Sequence, residues 1–333
     1  MGEKTVSIFE ILDEGTDILK EELNIPYLDA LAELGDMLFQ KEIIHPLKHT
    51  TTEKMQEWKA FLMSDNKISP EEFRKAFQLA VLKGMRSATQ PHHEMTPDAV
   101  SLFIGYLVNK IISYEKKEEA SVILDPAVGA GNLLTAVMNQ LNTSVHGIGA
   151  EADETLLRLC YVNANFQKHT VDLFHQDSIA TPFVKNVDAI ISDLPVGFYP
   201  NDAIANNFEL HTEEGHSFVH HLLIEQSILH VKPGGFLFFV VPNFIFESDQ
   251  ASSLHEYLKK EGIIYSFMQL PKSMFKNEQW GKSILIIRKR KEGINEPKQA
   301  LLVELPSFSN EIALRDIMQR ISTWFEDHLK KII

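Results

Sequence analysis

Asp125-Pro126-Ala127-Val128-Gly129-Ala130-Gly131-Asn132-Leu133-Leu134 is the stretch whose reading decides the fold. Just upstream, Ser121-Val122-Ile123-Leu124 is a short apolar run of the kind that forms a buried parallel strand. Downstream, Leu133, Leu134, Val137, Met138 and Leu141 recur at helical spacing. The segment is therefore a strand, a glycine turn and a helix start, with Asp125 at the strand's carboxyl end. Gly129 and Gly131 can take backbone angles closed to other residues and let a ligand approach the main chain. Open α/β sheets bind their ligands in such a crevice.

A dinucleotide fingerprint would need a third glycine where Leu134 stands. An acid also opens this turn, where a pyrophosphate would be repelled. A carboxylate suits a cationic or hydroxyl-rich ligand instead, such as the amino-acid part of S-adenosylmethionine (SAM).

Working outward, strands and helices alternate from Ser121 onward, which predicts a mainly parallel sheet covered on both faces. Seven strands are expected, over Val122–Asp125, Val145–Ala150, Val171–His175, Val187–Ser192, Gly235–Val241, Ile263–Leu270 and Ser283–Arg288. Helical patterns cover Glu154–Phe166, Phe218–Val231 and the amphipathic tail Glu311–Lys331. Thr96-Pro97-Asp98 reads as a helix cap opening the helix that precedes the first strand.

Residues 1 to about 86 read as all-helical, giving a leading bundle over 1–90 and a catalytic unit over 91–333. Ser69-Pro70-Glu71-Glu72 has the serine, proline and glutamate of a capped helix start, with Phe73, Phe77, Ala80 and Val81 on one face. Trp58, Phe61 and Leu62 are expected to pack against it. The bundle carries no catalytic constellation, so it reads as a cover for the catalytic unit or a surface for a protein partner.

Composition excludes several classes. With 44% hydrophobic and 23% charged residues, the chain is an ordinary globular protein. It offers no apolar run fit for a signal peptide or a membrane span, so a cytoplasmic location is expected. The lone Cys160 rules out an internal disulfide and falls in an apolar helical pattern. His92-His93 has no cysteine or HExxH pattern beside it, so no metal site is expected. The net charge is -14. It divides as −6 over residues 1–96, −12 over 97–250 and +4 over 251–333. A basic face of the kind that grips phosphates is confined to Lys272, Lys276, Lys282 and Arg288-Lys289-Arg290-Lys291. The charge thus counts against tight, unaided nucleic-acid binding.

Three further acids close successive strands. Glu151 ends the second, where a carboxylate takes two hydrogen bonds from ribose hydroxyls. Asp177 follows the third and can accept from an adenine amino group. Asp193 follows the fourth and opens Leu194-Pro195-Val196-Gly197-Phe198-Tyr199-Pro200. Any one of these could be a helix cap, but four at one rim of a sheet point to a site.

In this order, Thr96-Pro97, the Asp125–Leu134 turn, Gly149-Ala150-Glu151, Asp177-Ser178 and Asp193-Leu194-Pro195-Val196-Gly197 resemble the N6-adenine-specific DNA methyltransferases. Among these, the modification subunits of type I restriction systems are the nearest likeness. It continues through Lys232-Pro233-Gly234-Gly235, Val241-Pro242-Asn243 and Leu270-Pro271. The resemblance implies a class I SAM-dependent methyltransferase (Rossmann-like) fold, SAM as cofactor and DNA as partner. It assigns the methionine part of SAM to Asp125, Gly129 and Gly131, under Thr96 and Pro97. Pro126, Ala127, Asn132 and Leu133 belong to the same turn, Glu151 and Ala152 to the ribose, and Asp177 and Ser178 to the adenine.

The family's fourth motif is Asn/Asp-Pro-Pro-aromatic, in which the polar side chain and the next carbonyl accept from the target amine. That assigns catalysis to Asp193, Leu194 and Pro195. Leu194 stands where the first proline should be, and Val196 where an aromatic stacks on a flipped-out base. Phe198 or Tyr199 would have to supply that ring. Little chain follows the last strand to form a target-recognition domain. Two alternatives therefore accompany adenine methylation: a protein glutamine-amide methyltransferase, and a SAM-binding regulatory or interaction protein with weak catalysis.

Overall fold

Strands form where apolar residues run long enough to be buried on both faces of a sheet. The computed structural model describes residues 2–40, 47–63, 68–87, 95–114, 119–182, 184–294 and 296–329; His92 and His93 lie outside them. Eight strands make one sheet: β1 (Ser121–Asp125), β2 (Val145–Glu151), β3 (Val171–His175), β4 (Val187–Asp193), β5 (Val231–Pro242), β6 (Gly262–Gln269), β7 (Lys282–Lys289) and β8 (Leu301–Glu304). Their order is β3-β2-β1-β4-β5-β7-β6-β8. The first five pair in parallel, β7 runs antiparallel between β5 and β6, and β8 lies parallel on β6.

This is the class I SAM-dependent methyltransferase fold, with one strand more than the seven expected. The extra strand, β8, alternates half-buried and exposed residues, and Leu302 is 68% exposed. It thus lacks the continuous apolar run that betrays the others.

The helices are α1 (Glu3–Leu23), α2 (Tyr27–Gln40), α3 (His49–Leu62), α4 (Pro70–Ser87), α5 (Asp98–Ile112), α6 (Asn132–Met138), α7 (Glu154–Phe166), α8 (Asp202–Ala205), α9 (Val219–His230), α10 (Ala251–Glu261) and α11 (Glu311–Leu329). Alternate strand residues feed opposite cores, as the two-residue side-chain period requires. Ile123, Ile191, Phe238 and Ile286 pack with α5, α6 and α11. Leu124, Ile190, Phe239 and Ile287 pack with α9 and α10.

The helices α1 to α4 share a third core, built on Leu12, Leu31, Leu34, Phe73, Phe77 and Val81. Leu62 and the half-buried Trp58 join it, while Phe61 lies at the surface. The same cluster takes in Ala130 of the glycine turn and Leu156, Leu159 and Val162 of α7. Arg158 of α7 adds ion pairs to Glu33 and Asp36 of α2, each at 2.8 Å. The bundle therefore rests directly on the glycine turn. Helix α4 starts on a reciprocal cap: the Glu72 amide donates to Ser69 Oγ (3.2 Å), and the Ser69 amide to Glu72 Oε2 (2.8 Å).

Strand order reverses at β1, with β2 on one side and β4 on the other. Such a switch point parts the connecting loops and opens a crevice above the strands' carboxyl ends.

Candidate active site

The crevice is a cavity of about 870 Å³ above the carboxyl ends of β1, β2, β3 and β4. Asp125, Glu151, Asp177 and Asp193, the acids that end or follow those strands, all line it. Lys282 is the one cation among the described lining residues.

Asp125 is 2% exposed. Its Oδ1 accepts from Ser192 Oγ (2.8 Å) and from the Ala127 amide (3.1 Å), which folds the turn back on the strand end. Burial pushes its carboxyl up to about 7, and the charges of Glu151 and Asp193 add to this against those two hydrogen bonds.

Gly129 sits at φ +53° with nothing within 4 Å of where a Cβ would project. Its amide donates to Glu151 Oε2 (2.9 Å), while Glu151 Oε1 accepts from the amides of Ala152 and Asp153. The carboxylate of Glu151 is thus fixed on three main-chain donors at the mouth of the turn. Gly131 does different work. It caps α6 at φ +78° behind the loop, and a Cβ there would stand 2.6 Å from Cys160 Sγ. The positive φ and the close approach to the buried thiol both require glycine there, and Gly131 is not among the residues that line the cavity.

Pro97 is exposed and does not line the cavity; it, and not Thr96, occupies the N-cap of α5. Thr96 lines the cavity and is held from below, its carbonyl accepting from Asn132 Nδ2 (3.1 Å). Asn132 Oδ1 in turn accepts from Arg74 Nη1 (2.7 Å). Arg74 is a fully buried guanidinium on α4 that also pairs with Glu71 (2.7 Å) and Asp98 (2.5 Å). One arginine thus ties the bundle to the glycine turn. Its signal in the sequence is a cation at apolar-face spacing, three and seven residues before Phe77 and Val81.

Asp177 Oδ2 accepts from the Tyr199 hydroxyl (2.6 Å), and Ser178 Oγ donates to the Pro126 carbonyl (2.6 Å). Tyr199 is 5% exposed and presents its hydroxyl to Asp177. Phe198 is 60% exposed but lies outside the cavity lining, stacked on Phe218 with ring centroids 4.9 Å apart. Of the two aromatics, Tyr199 lines the cavity, together with Val196, Phe244 and Trp280.

After β4, Leu194 is fully buried and its amide donates to the Val240 carbonyl (3.0 Å). Asp193 and Pro195 line the cavity on either side of it. Asp193 Oδ1 receives the ammonium of Lys282 at 2.9 Å. Lys282 belongs to the basic group read from the sequence, and part of that group bonds within the molecule while Lys272, Lys276 and Lys291 stay exposed. Arg288 is buried, donating to the Gly234 carbonyl and Tyr265 hydroxyl, Lys289 donates to the Val231 carbonyl, and Arg290 pairs with Glu296.

No described helix is long and apolar enough to cross a membrane. Among the described residues, no three His, Cys, Asp or Glu side chains are grouped to hold a metal.

Residues 87–332 match the N-6 DNA Methylase family. The chain belongs to that family. Residues 6–85 match the YtxK N-terminal helical domain. A Bacillus subtilis (strain 168) relative, "Uncharacterized protein YtxK", is 47% identical over 323 residues, spanning 96% of this chain and 97% of its own. A Listeria monocytogenes protein described as a candidate class I SAM-dependent methyltransferase is 42% identical, with a TM-score of 0.88 over 98% of this chain and all of its own. At 17% identity, a modification subunit of a candidate type I restriction enzyme from Vibrio vulnificus YJ016 shares the fold alone, with a TM-score of 0.62 over 85% of this chain and 65% of its own.

As an N-6 DNA methylase family member, the protein is a SAM-dependent methyltransferase. The cavity fits that cofactor: an unobstructed glycine at positive φ, a buried carboxyl beside it and an anchored carboxylate on the next strand.

Proposed function

We propose that this methyltransferase modifies an uncharged exocyclic or amide NH2 group, with the N6 amine of adenine in DNA as the substrate. The single observation that supports this most is Asp193 at the end of β4, lining the same cavity as Asp125 and Glu151. In this reading residues 91–333 form the catalytic unit and residues 1–90 its cover. Asp125 faces the amino-acid part of SAM from the open side of Gly129, Glu151 its ribose and Asp177 its adenine. Bound SAM supplies a methyl on a sulfonium: the amine's lone pair forms the N–C bond, the S–C pair stays with sulfur, and a proton passes to water.

Asp193 and the carbonyl of Leu194 accept the two N–H bonds of the target. That aims the nitrogen lone pair and leaves rate to positioning and electrostatics. Leu194 is held in extended backbone by the proline that follows it, so its carbonyl is pre-set.

A second reading, methylation of a protein carboxamide, draws on the net charge of -14 and on the internal bonding of Arg288 and Lys289, which takes two cations out of the basic run. Incubating the protein with methyl-labelled SAM and DNA, RNA or cell extract decides between them. Label is expected in DNA, and lost on Asp193→Ala. Label in protein alone would favour the carboxamide, and SAM binding without any transfer would leave a regulatory protein.

A further inference from the structure

Asp193 is the residue that must receive the substrate's amine, yet one of its oxygens already holds an ammonium. Lys282 Nζ lies 2.9 Å from Asp193 Oδ1, with the two side chains only 19% and 12% exposed. This is a fixed arrangement rather than a wandering surface lysine. The Lys282 carbonyl accepts from the Leu270 amide (3.0 Å), and Lys282 stands opposite Pro242 in the β5–β7 ladder. On either side, the Gly281 carbonyl accepts from the Asn243 amide (2.9 Å), and Ser283 Oγ donates to Asn243 Oδ1 (2.6 Å). Two edges of sheet therefore pin the lysine backbone over the acid.

The electrostatic setting gives that position a purpose. Asp193 shares its cavity with three other carboxyl groups and no second cation among the described lining residues. Unpaired, a carboxylate there would draw an alkylammonium, whose nitrogen has no lone pair to give. Paired, it presents a net charge near zero while its other oxygen remains an acceptor.

We propose that Lys282 is a specificity-determining residue of the transfer site. By pairing with Asp193 it cancels the acceptor's charge, so the pocket takes an uncharged planar NH2 group and turns away ammonium groups. This rests on Asp193 being the amine acceptor. It adds a second residue, from the start of β7 two strands away, to a motif otherwise confined to the end of β4 and the loop after it.

The test needs no knowledge of the natural substrate, because SAM carries a sulfonium charge next to the transfer site and S-adenosylhomocysteine does not. The preference for SAM over S-adenosylhomocysteine, measured by calorimetry on the full chain, reads the local charge. Lys282→Met is expected to raise that preference on the order of tenfold, Asp193→Asn to lower it by a similar factor, and the double variant to return near wild type, as one uncompensated unit charge in partly screened surroundings requires. Lys282→Arg should keep the wild-type ratio. Thermal melts identify any variant that fails to fold, and Lys282→Gln then stands in for Lys282→Met. If both ligands bind every variant with an unchanged ratio, the neutral-pair proposal is overturned while the cofactor site stands. If the wild type transfers methyl groups and Asp193→Ala does so equally well, the acceptor reading beneath it falls first.

Discussion

The two ends of the cavity are built on different terms. At the β1–β3 end the cavity-lining groups are fixed by main chain and by buried partners: Glu151 on three amides, Asp125 on Ser192 and Ala127, Thr96 on Asn132 and Arg74. At the β4–β7 end Asp193 and Lys282, each at a strand end, are joined by a single ion pair, and Val196, Phe244 and Trp280 of the adjoining segments line the cavity with them. The first end follows the family's pattern closely, and the second departs from it at Leu194 and Val196. The difference lies in anchoring: the acids of the first end are held by main-chain amides and a buried hydroxyl, whereas the acid of the second is held by one ion pair.

The largest expected effect falls at the rigid end. Arg74→Met takes the cation from Asp98, leaves Glu71 with only Lys75 and Asn139, and removes the donor that holds Asn132. Glu71 and Asp98 are 33% and 35% exposed, so water offsets part of the roughly 3–5 kcal/mol that breaking a fully buried pair costs; a drop in denaturation midpoint is still expected, with weakened SAM binding. An unchanged midpoint would mean the bundle does not brace the turn.

A smaller effect comes from pH. With the Asp125 carboxyl near 7, the ionised form that a cationic ligand group prefers fills in as pH rises. SAM affinity should therefore increase roughly eightfold from pH 6 to 7.5, since its binding is linked to release of that proton. The same carboxyl acts on the fold with the opposite sign. Its native value lies above the ordinary 3.8, so the native state holds the proton more tightly and loses stability as pH climbs through that interval. Asp125→Asn should consequently melt higher than wild type at pH 8 while binding SAM less well. A flat affinity profile would remove Asp125 from the ligand's surroundings.

The smallest effect sharpens the contrast from the open end. Phe198→Ala trims a ring that lies outside the cavity, against Phe218. SAM affinity should stay within about twofold, a surface substitution costing ~0.5 kcal/mol or less. A larger loss would place Phe198 in the site after all.

Much of this was legible in the sequence, for reasons that can be named. Strands buried on both faces announce themselves as apolar runs, and acids at their carboxyl ends fall on one rim because parallel strands share a direction. What stayed hidden depends on contacts between distant segments. A lysine at a strand start reads as solvated, and only the β5–β7 pairing turns Lys282 toward Asp193. Gly131 reads like Gly129, yet Cys160, from the next helix, dictates it. Tyr199 offers a ring to the eye, but its hydroxyl is committed to Asp177. The strand β8 shows only every second residue to the core, too faint a pattern over four positions.

Ala130, between the two glycines, belongs to the same apolar cluster as Leu12 and Phe77. The cofactor turn therefore has a backing wall supplied by the first quarter of the chain. A fragment beginning after the bundle would expose that wall to water and lose the stiffness of the turn along with it.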